Sequence, residues 1–195
     1  MAGPLLLNVA RWITRSRVNG PGERFVLWLQ GCSLRCPGCW NPDTWSHAPR
    51  QVLPIDAVLA EVPHDVEGIT LTGGEPFEQD ASLVALLDAA RARGLSVMIF
   101  TGHELDELTR EASRAVLARC DVLIAGRYDA ARRSIGLGWR GSSNQEVHFL
   151  SARYEERDQP TGAEVEVHCA ADGSLVVTGF PDAGLRFVGS SGGGP

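Results

Sequence analysis

Four short apolar runs, residues 25–30, 69–72, 95–100 and 121–125, constrain the fold of this chain more than any other feature. Each is continuous rather than alternating, and each gives way to a glycine-containing loop, the pattern of a strand buried on both faces. Stretches with helical spacing lie between them. Pro54 opens the first, with Ile55, Val58, Leu59 and Val62 on a common face. Leu83, Leu86, Leu87 and Ala90 line a second, closed by Gly94, and Leu105, Leu108, Ala112, Ala115 and Val116 line a third. Strands alternating with helices predict a parallel sheet, because the crossovers need a dozen or more residues and fully apolar strands must be hidden on both sides. The predicted fold class is therefore α/β.

At 195 residues the chain is too short for a complete eight-stranded barrel of about 250 residues, so a partial, open (β/α) barrel is expected. Around it, residues 5–13 read as an edge strand, residues 18–22 as a turn, the polar stretch from Pro42 to Gln51 as loop, and residues 146–150 as a further strand. Residues 164–169 and 174–178, on either side of Ala171-Asp172-Gly173, read as a β-hairpin. The expected organisation is a main unit over residues 1–150, a small C-terminal hairpin extension over 151–188, and a disordered Gly/Ser-rich tail over 189–195.

Composition narrows the function. A formal charge of −6 disfavours a broad grip on nucleic acid. All basic side chains other than histidine are arginines, which excludes Schiff-base and phosphate-loop chemistry that requires lysine. No apolar run approaches the roughly 18 residues of a membrane span, and Leu5-Leu6-Leu7 is too short for a secretory signal. Five cysteines, an odd number, argue against a fully paired disulfide framework and for a reducing compartment; the expected location is the cytoplasm.

Three of those cysteines, Cys32, Cys36 and Cys39, fall within eight residues as CxxxCxxC, directly after the first buried strand. A four-iron cluster held entirely by protein takes four thiolates, so three close together suggest a cluster with one iron left open for another ligand. The competing reading is a zinc site with His47 as fourth ligand, although zinc knuckles usually show paired CxxC units. Cys120 and Cys169 read as small buried hydrophobes, leaving one cluster only. His64, His103, His148 and His168 show no ligand-like spacing.

Ligands of such folds sit beyond the carboxyl ends of the strands, where the loops at Cys32, Gly73, Thr101 and Gly126 all begin. Convergence of these loops joins Gly73-Gly74-Glu75 and Thr101 to the cysteines as one candidate pocket. On its own, Gly-Gly after a strand is only a turn, and a threonine at that position is more often a helix cap than a ligand contact. Trp40 reads either as a cover for the cluster edge or as core packing.

The runs VNGPGERFVLWLQGC, CSLRCPGCWN and LTGGEP, with RGSSNQ from Arg140 to Gln145, resemble the radical S-adenosylmethionine (SAM) superfamily. Within it they resemble the activating proteins of glycyl-radical enzymes, including the activators of anaerobic ribonucleotide reductase. The resemblance covers residues 18–148. It implies a barrel of the radical SAM type and a 4Fe-4S cluster on Cys32, Cys36 and Cys39, with SAM on the open iron. It also implies SAM contacts from Gly73, Gly74 and Glu75, with Thr101 facing the ribose and Trp40 covering the cluster edge. The implied reaction is reductive cleavage of SAM to a 5′-deoxyadenosyl radical, which abstracts hydrogen from a glycine of a partner glycyl-radical protein. Reduced flavodoxin or ferredoxin is the implied electron donor. In the superfamily an aromatic often precedes the third cysteine; here that place is Gly38 and the aromatic moves to Trp40, as in the reductase activators. Ala125 stands where many of those activators carry an aspartate. Two alternatives remain open, a radical SAM enzyme acting on a peptide or small molecule and a noncatalytic structural metal-binding module.

Overall fold

The computed structural model describes residues 5–134, 136–162, 164–169, 173 and 175–180. Its centre is a seven-stranded mixed sheet, made by β1 (Leu6–Ser16), β2 (Arg24–Leu29), β3 (Gln51–Pro54), β4 (Gly68–Gly73), β5 (Ser96–Phe100), β6 (Val122–Ala125) and β7 (Glu146–Phe149), in the order β3-β1-β2-β4-β5-β6-β7. β2, β4, β5 and β6 run parallel, and these are the four apolar runs of the sequence. β1, β3 and β7 pair antiparallel at the flanks. The class is α/β, as expected.

Three helices, α1 (Ile55–Ala60), α2 (Asp80–Ala92) and α3 (Glu111–Leu117), supply the crossovers. They cover one face of the sheet. On it, Phe25, Leu27, Leu29, Ile69, Leu71, Val97, Ile99 and Leu123 pack with Val58, Leu83, Leu86, Leu87, Ala90 and Val116. The residues between them point to the opposite face, where Val26 and Trp28 cluster with Ala10 and Ile13, and Met98, Val122 and Ile124 with Trp139. Both faces are thus occupied along the parallel strands, which explains why their sequences are apolar without alternation.

Several expectations are corrected. β1 is not an edge strand: it lies between β2 and β3, and the edge is β3, whose residues begin where the sequence reads as loop. Four residues are too few to show a period, and β3 holds its place by pairing Leu6 through Val9 with Pro54 back to Gln51. The third helix is broken. Leu105–Glu107 forms a 3-10 turn closed by a capping box between Glu104 and Glu107, and α3 starts only at Glu111.

The C-terminal hairpin is present as a separate two-stranded sheet, β8 (Val165–Cys169) and β9 (Leu175–Gly179). Ala171 and Asp172 of its turn, and the tail over residues 189–195, lie outside the described residues. Val176 packs on the Val26 and Trp28 cluster, the Phe180 ring lies 6.2 Å from that of Phe100, and Asn19 Nδ2 donates to Thr178 Oγ1 at 2.8 Å. The hairpin therefore sits on the face of the sheet that the helices leave open. Cys169 is exposed there, contrary to expectation, whereas Cys120 is a buried small hydrophobe. Among the described residues no helix is long and apolar enough to cross a membrane.

Candidate functional site

The loops leaving β2, β4, β5 and β6 at their carboxyl ends converge on one cavity of about 230 Å³. Cys32, Cys36, Cys39 and Trp40 line it, together with Gly73, Gly74, Glu75, Thr101 and Gly126. Every residue singled out from the sequence as a cluster or cofactor candidate is at this cavity. The Val18-to-Gly22 turn borders it through Asn19, and β9 closes it through Val177, Thr178 and Gly179, with Phe180 just beyond the strand.

The cysteine loop is folded by its backbone. Arg35 has φ of +46°, the left-handed region that side chains rarely adopt, and this reversal lets the loop double back between Cys32 and Cys36. Gly31 and Cys32 donate to the carbonyls of Thr44 and Trp45, and Glu78 Oε1 accepts from the Ser33 N–H at 2.8 Å. All three thiols are free. Burial pushes the Cys32 and Cys36 thiols above the ordinary range, and backbone N–H groups offset this in part. Among the described residues no three His, Cys, Asp or Glu side chains close on a single point as ligands of one metal ion would. A four-iron cluster asks for a different donor set, in which each thiolate binds its own iron around a shared space. His47 spends its Nε2 on Glu78 at 2.6 Å, so the fourth-ligand role of the zinc reading finds that atom engaged.

The glycines at the end of β4 are demanded by packing. Gly73 has φ of +95°, and a Cβ there would lie 2.8 Å from the backbone of Leu29; a Cβ on Gly74 would collide with the Gly31 carbonyl oxygen. Gly74 and Glu75 donate their N–H groups to Leu29 and Gly31, which clamps the β4 loop against the start of the cysteine loop. The Gly74 carbonyl is not an acceptor in any hydrogen bond given between described residues, and Gly74 lines the cavity.

Glu75 is 1% exposed. Its Oε1 accepts from the Phe77 N–H at 3.0 Å and the Thr101 hydroxyl at 2.8 Å, and its Oε2 from the Gly102 N–H at 2.9 Å. Burial nevertheless raises its pKa above the usual carboxylate range. Thr101 also accepts from the His103 N–H, so its hydroxyl is used within the protein on both sides. Trp40 is no core residue. At 42% exposure it stands on the rim, edge-on to Tyr128 with ring centroids 6.4 Å apart, and the Arg133 guanidinium lies 4.3 Å from its ring centre.

The RGSSNQ segment largely bonds to itself and to the loop after β6. Gln145 Oε1 accepts from Gly141 and Ser142, its Nε2 donates to Gly126, and Asn144 Nδ2 donates to the Arg127 carbonyl. Ala125 lies fully buried in the helix-side core. Sequence reasoning missed Arg11, Trp45, Tyr128 and Phe180 as lining residues. It also missed Arg24, which is fully buried on the face turned away from the helices and bonded to Thr70, Ser96, Pro21 and Ile69. An arginine opening an apolar strand carries no signal of inward orientation. The phenylalanine and tyrosine belong to segments far from the cysteines in sequence.

Two comparisons bear on this site. Residues 18–148 match a family model described as a 4Fe-4S single cluster domain. The anaerobic ribonucleoside-triphosphate reductase-activating protein of Salmonella typhimurium is 37% identical over 144 residues, covering 68% of this chain and 92% of the relative. Its namesake from Escherichia coli K12 is 36% identical with the same coverage. That of Haemophilus influenzae is 31% identical over 153 residues, 73% of this chain and 97% of the relative. Coverage of nearly the whole relative, with the cysteine loop inside the matched domain, assigns this chain to the family of anaerobic ribonucleoside-triphosphate reductase-activating proteins.

Proposed function

We propose that this chain is a radical SAM activating enzyme whose substrate is a glycine in the backbone of an anaerobic ribonucleotide reductase. The observation that carries the reading is the single cavity in which three free thiols meet the carboxyl-end loops of all four parallel strands. A bound 4Fe-4S cluster would supply the electron for reductive cleavage of SAM, the chemistry that hydrogen abstraction from the partner's glycine requires.

The residues present fit these groups. Cys32, Cys36 and Cys39 would hold three irons, and a fourth protein thiolate is not among the cavity's lining residues. The Gly74 carbonyl offers an acceptor for the SAM ammonium. Glu75 is a positioning group: its carboxyl fixes the β4 and β5 loops to one another through Thr101 and Gly102 beside the cavity. Thr101 holds Glu75 in place, and its hydroxyl keeps one lone pair with which to accept from the SAM ribose. Trp40, Tyr128 and Phe180 narrow the cavity with apolar surface, which limits water around a reactive species.

The four parallel strands with helices on one face support reading the sheet as a partial, open (β/α) barrel whose rim, at the carboxyl ends of the strands, receives the partner. On that reading residues 1–150 form the catalytic unit and residues 151–188 an extension, of which Val177, Thr178, Gly179 and Phe180 wall the cavity. A reduced flavodoxin or ferredoxin in the cytoplasm is the proposed electron source. The test is anaerobic. The reconstituted chain, given dithionite and SAM, is expected to form 5′-deoxyadenosine, and Cys→Ala at positions 32, 36 or 39 to lower the yield by at least 100-fold, or about 2.7 kcal/mol. A fully iron-loaded chain that forms none would overturn the reading.

A further inference from the structure

The hairpin is a sheet of β8 and β9 alone, so among the described residues no strand pairs with the second edge of β9. One hydrogen bond settles which main-chain groups stand on that edge. The Phe180 N–H donates to the Glu164 carbonyl at 3.0 Å. Bonded and non-bonded pairs alternate along an antiparallel ladder, so in this register Thr178 with Glu166 and Val176 with His168 are the bonded pairs. The N–H and C=O groups of Val177 and Gly179 therefore turn away from β8. That open edge borders the cavity: Val177 and Gly179 line it, whereas none of Val165–Cys169 does. The side chains of Val176, Thr178 and Phe180 point toward the large sheet instead, to the Val26 and Trp28 cluster, Asn19 and Phe100. They fix the strand in place and leave two donors and two acceptors in a row at the cavity, a template for one more strand.

We propose that the open edge of β9 binds the substrate itself, by pairing with an extended segment of the partner reductase that carries the reacting glycine. The proposal rests on the function proposed above. On that reading the reacting group is a main-chain Cα–H, so the partner must bring its backbone to the rim of this cavity. Strand addition recognises backbone through N–H and C=O groups. A glycine in the added strand has no Cβ to hold it away from its neighbours. The edge lies beyond the matched domain, which ends at residue 148, so this grip on the partner belongs to the chain's own extension.

The first experiment measures KM for the reductase, with iron-loaded chain, SAM and dithionite, by the glycine-centred radical formed. Val177→Pro deletes an edge N–H without removing a ladder bond, and Val177→Ala keeps it. The KM of V177P is expected to exceed that of V177A about tenfold, and equal values overturn the proposal. Amide hydrogen exchange of the wild-type chain decides even where V177P does not fold. With reductase added and SAM left out, the Val177 and Gly179 amides are expected to exchange about tenfold more slowly. Unchanged exchange at both amides overturns the proposal, as does protection already present without reductase through edge-to-edge pairing of two copies of this chain. Wild type that protects these amides yet forms no radical with SAM supports the pairing and overturns the functional reading.

Discussion

Glu75 and Arg24 are charged side chains taken out of water, and each is held by several hydrogen bonds. Burial raises the pKa of the carboxyl and lowers that of the guanidinium, the two directions desolvation dictates. Arg24→Met would remove the donors that Thr70 Oγ1, Ser96 Oγ and the Pro21 and Ile69 carbonyls accept from inside the sheet. It is expected to cost about 3–5 kcal/mol in urea denaturation of the apoprotein; a loss below about 1 kcal/mol would contradict the role given to it. Gly74→Ala tests the clamp between the two site loops, since its methyl meets the Gly31 carbonyl. A fall in stability of about 2–3 kcal/mol is expected, with lower iron loading. The Gly-Gly pair was legible as part of the site because it joined the cysteines at a strand end. Arg24 was not, because one residue's orientation depends on which face the sheet turns inward.

At the level of elements, the four parallel strands and α2 were legible in outline because continuous apolar runs and i, i+3, i+4 spacing report burial directly. β3 and the break before α3 were not. Pairing partners decide the one, and a local capping box decides the other. α2 and the end of α3 are linked by Asp88, whose carboxylate accepts from Arg119 Nε at 2.6 Å and Nη2 at 3.0 Å. Hydrogen bonding from Arg119 holds the Asp88 pKa below the usual aspartate range. A lowered folded-state pKa means that the unfolded chain takes up the proton first as pH falls. The stabilisation is present above the ordinary aspartate pKa of about 3.9 and is lost as pH drops through the folded value. The gap in denaturation midpoint between wild type and Asp88→Asn should therefore be seen near pH 7 and narrow as pH falls below the ordinary aspartate range. A gap of equal size below that range would contradict the linkage.

For the whole molecule, the topology gathers loops distant in sequence onto one rim and leaves one face of the sheet uncovered by helices. That the site would lie beyond the carboxyl ends of the strands followed from the α/β pattern alone. That a C-terminal hairpin would wall it did not, since nothing in residues 165–179 identifies the surface they cover. The hairpin lies beyond the matched domain, which ends at residue 148, and it gives the cavity a boundary supplied by this chain's own extension. The central claim is that hydrogen leaves a glycine of the partner reductase. It is tested by supplying the iron-loaded chain with SAM, a reductant and reductase labelled with deuterium at the glycine α-carbons. The account predicts one deuterium transferred into 5′-deoxyadenosine and a glycine-centred radical in electron paramagnetic resonance. Unlabelled 5′-deoxyadenosine without that signal would contradict it.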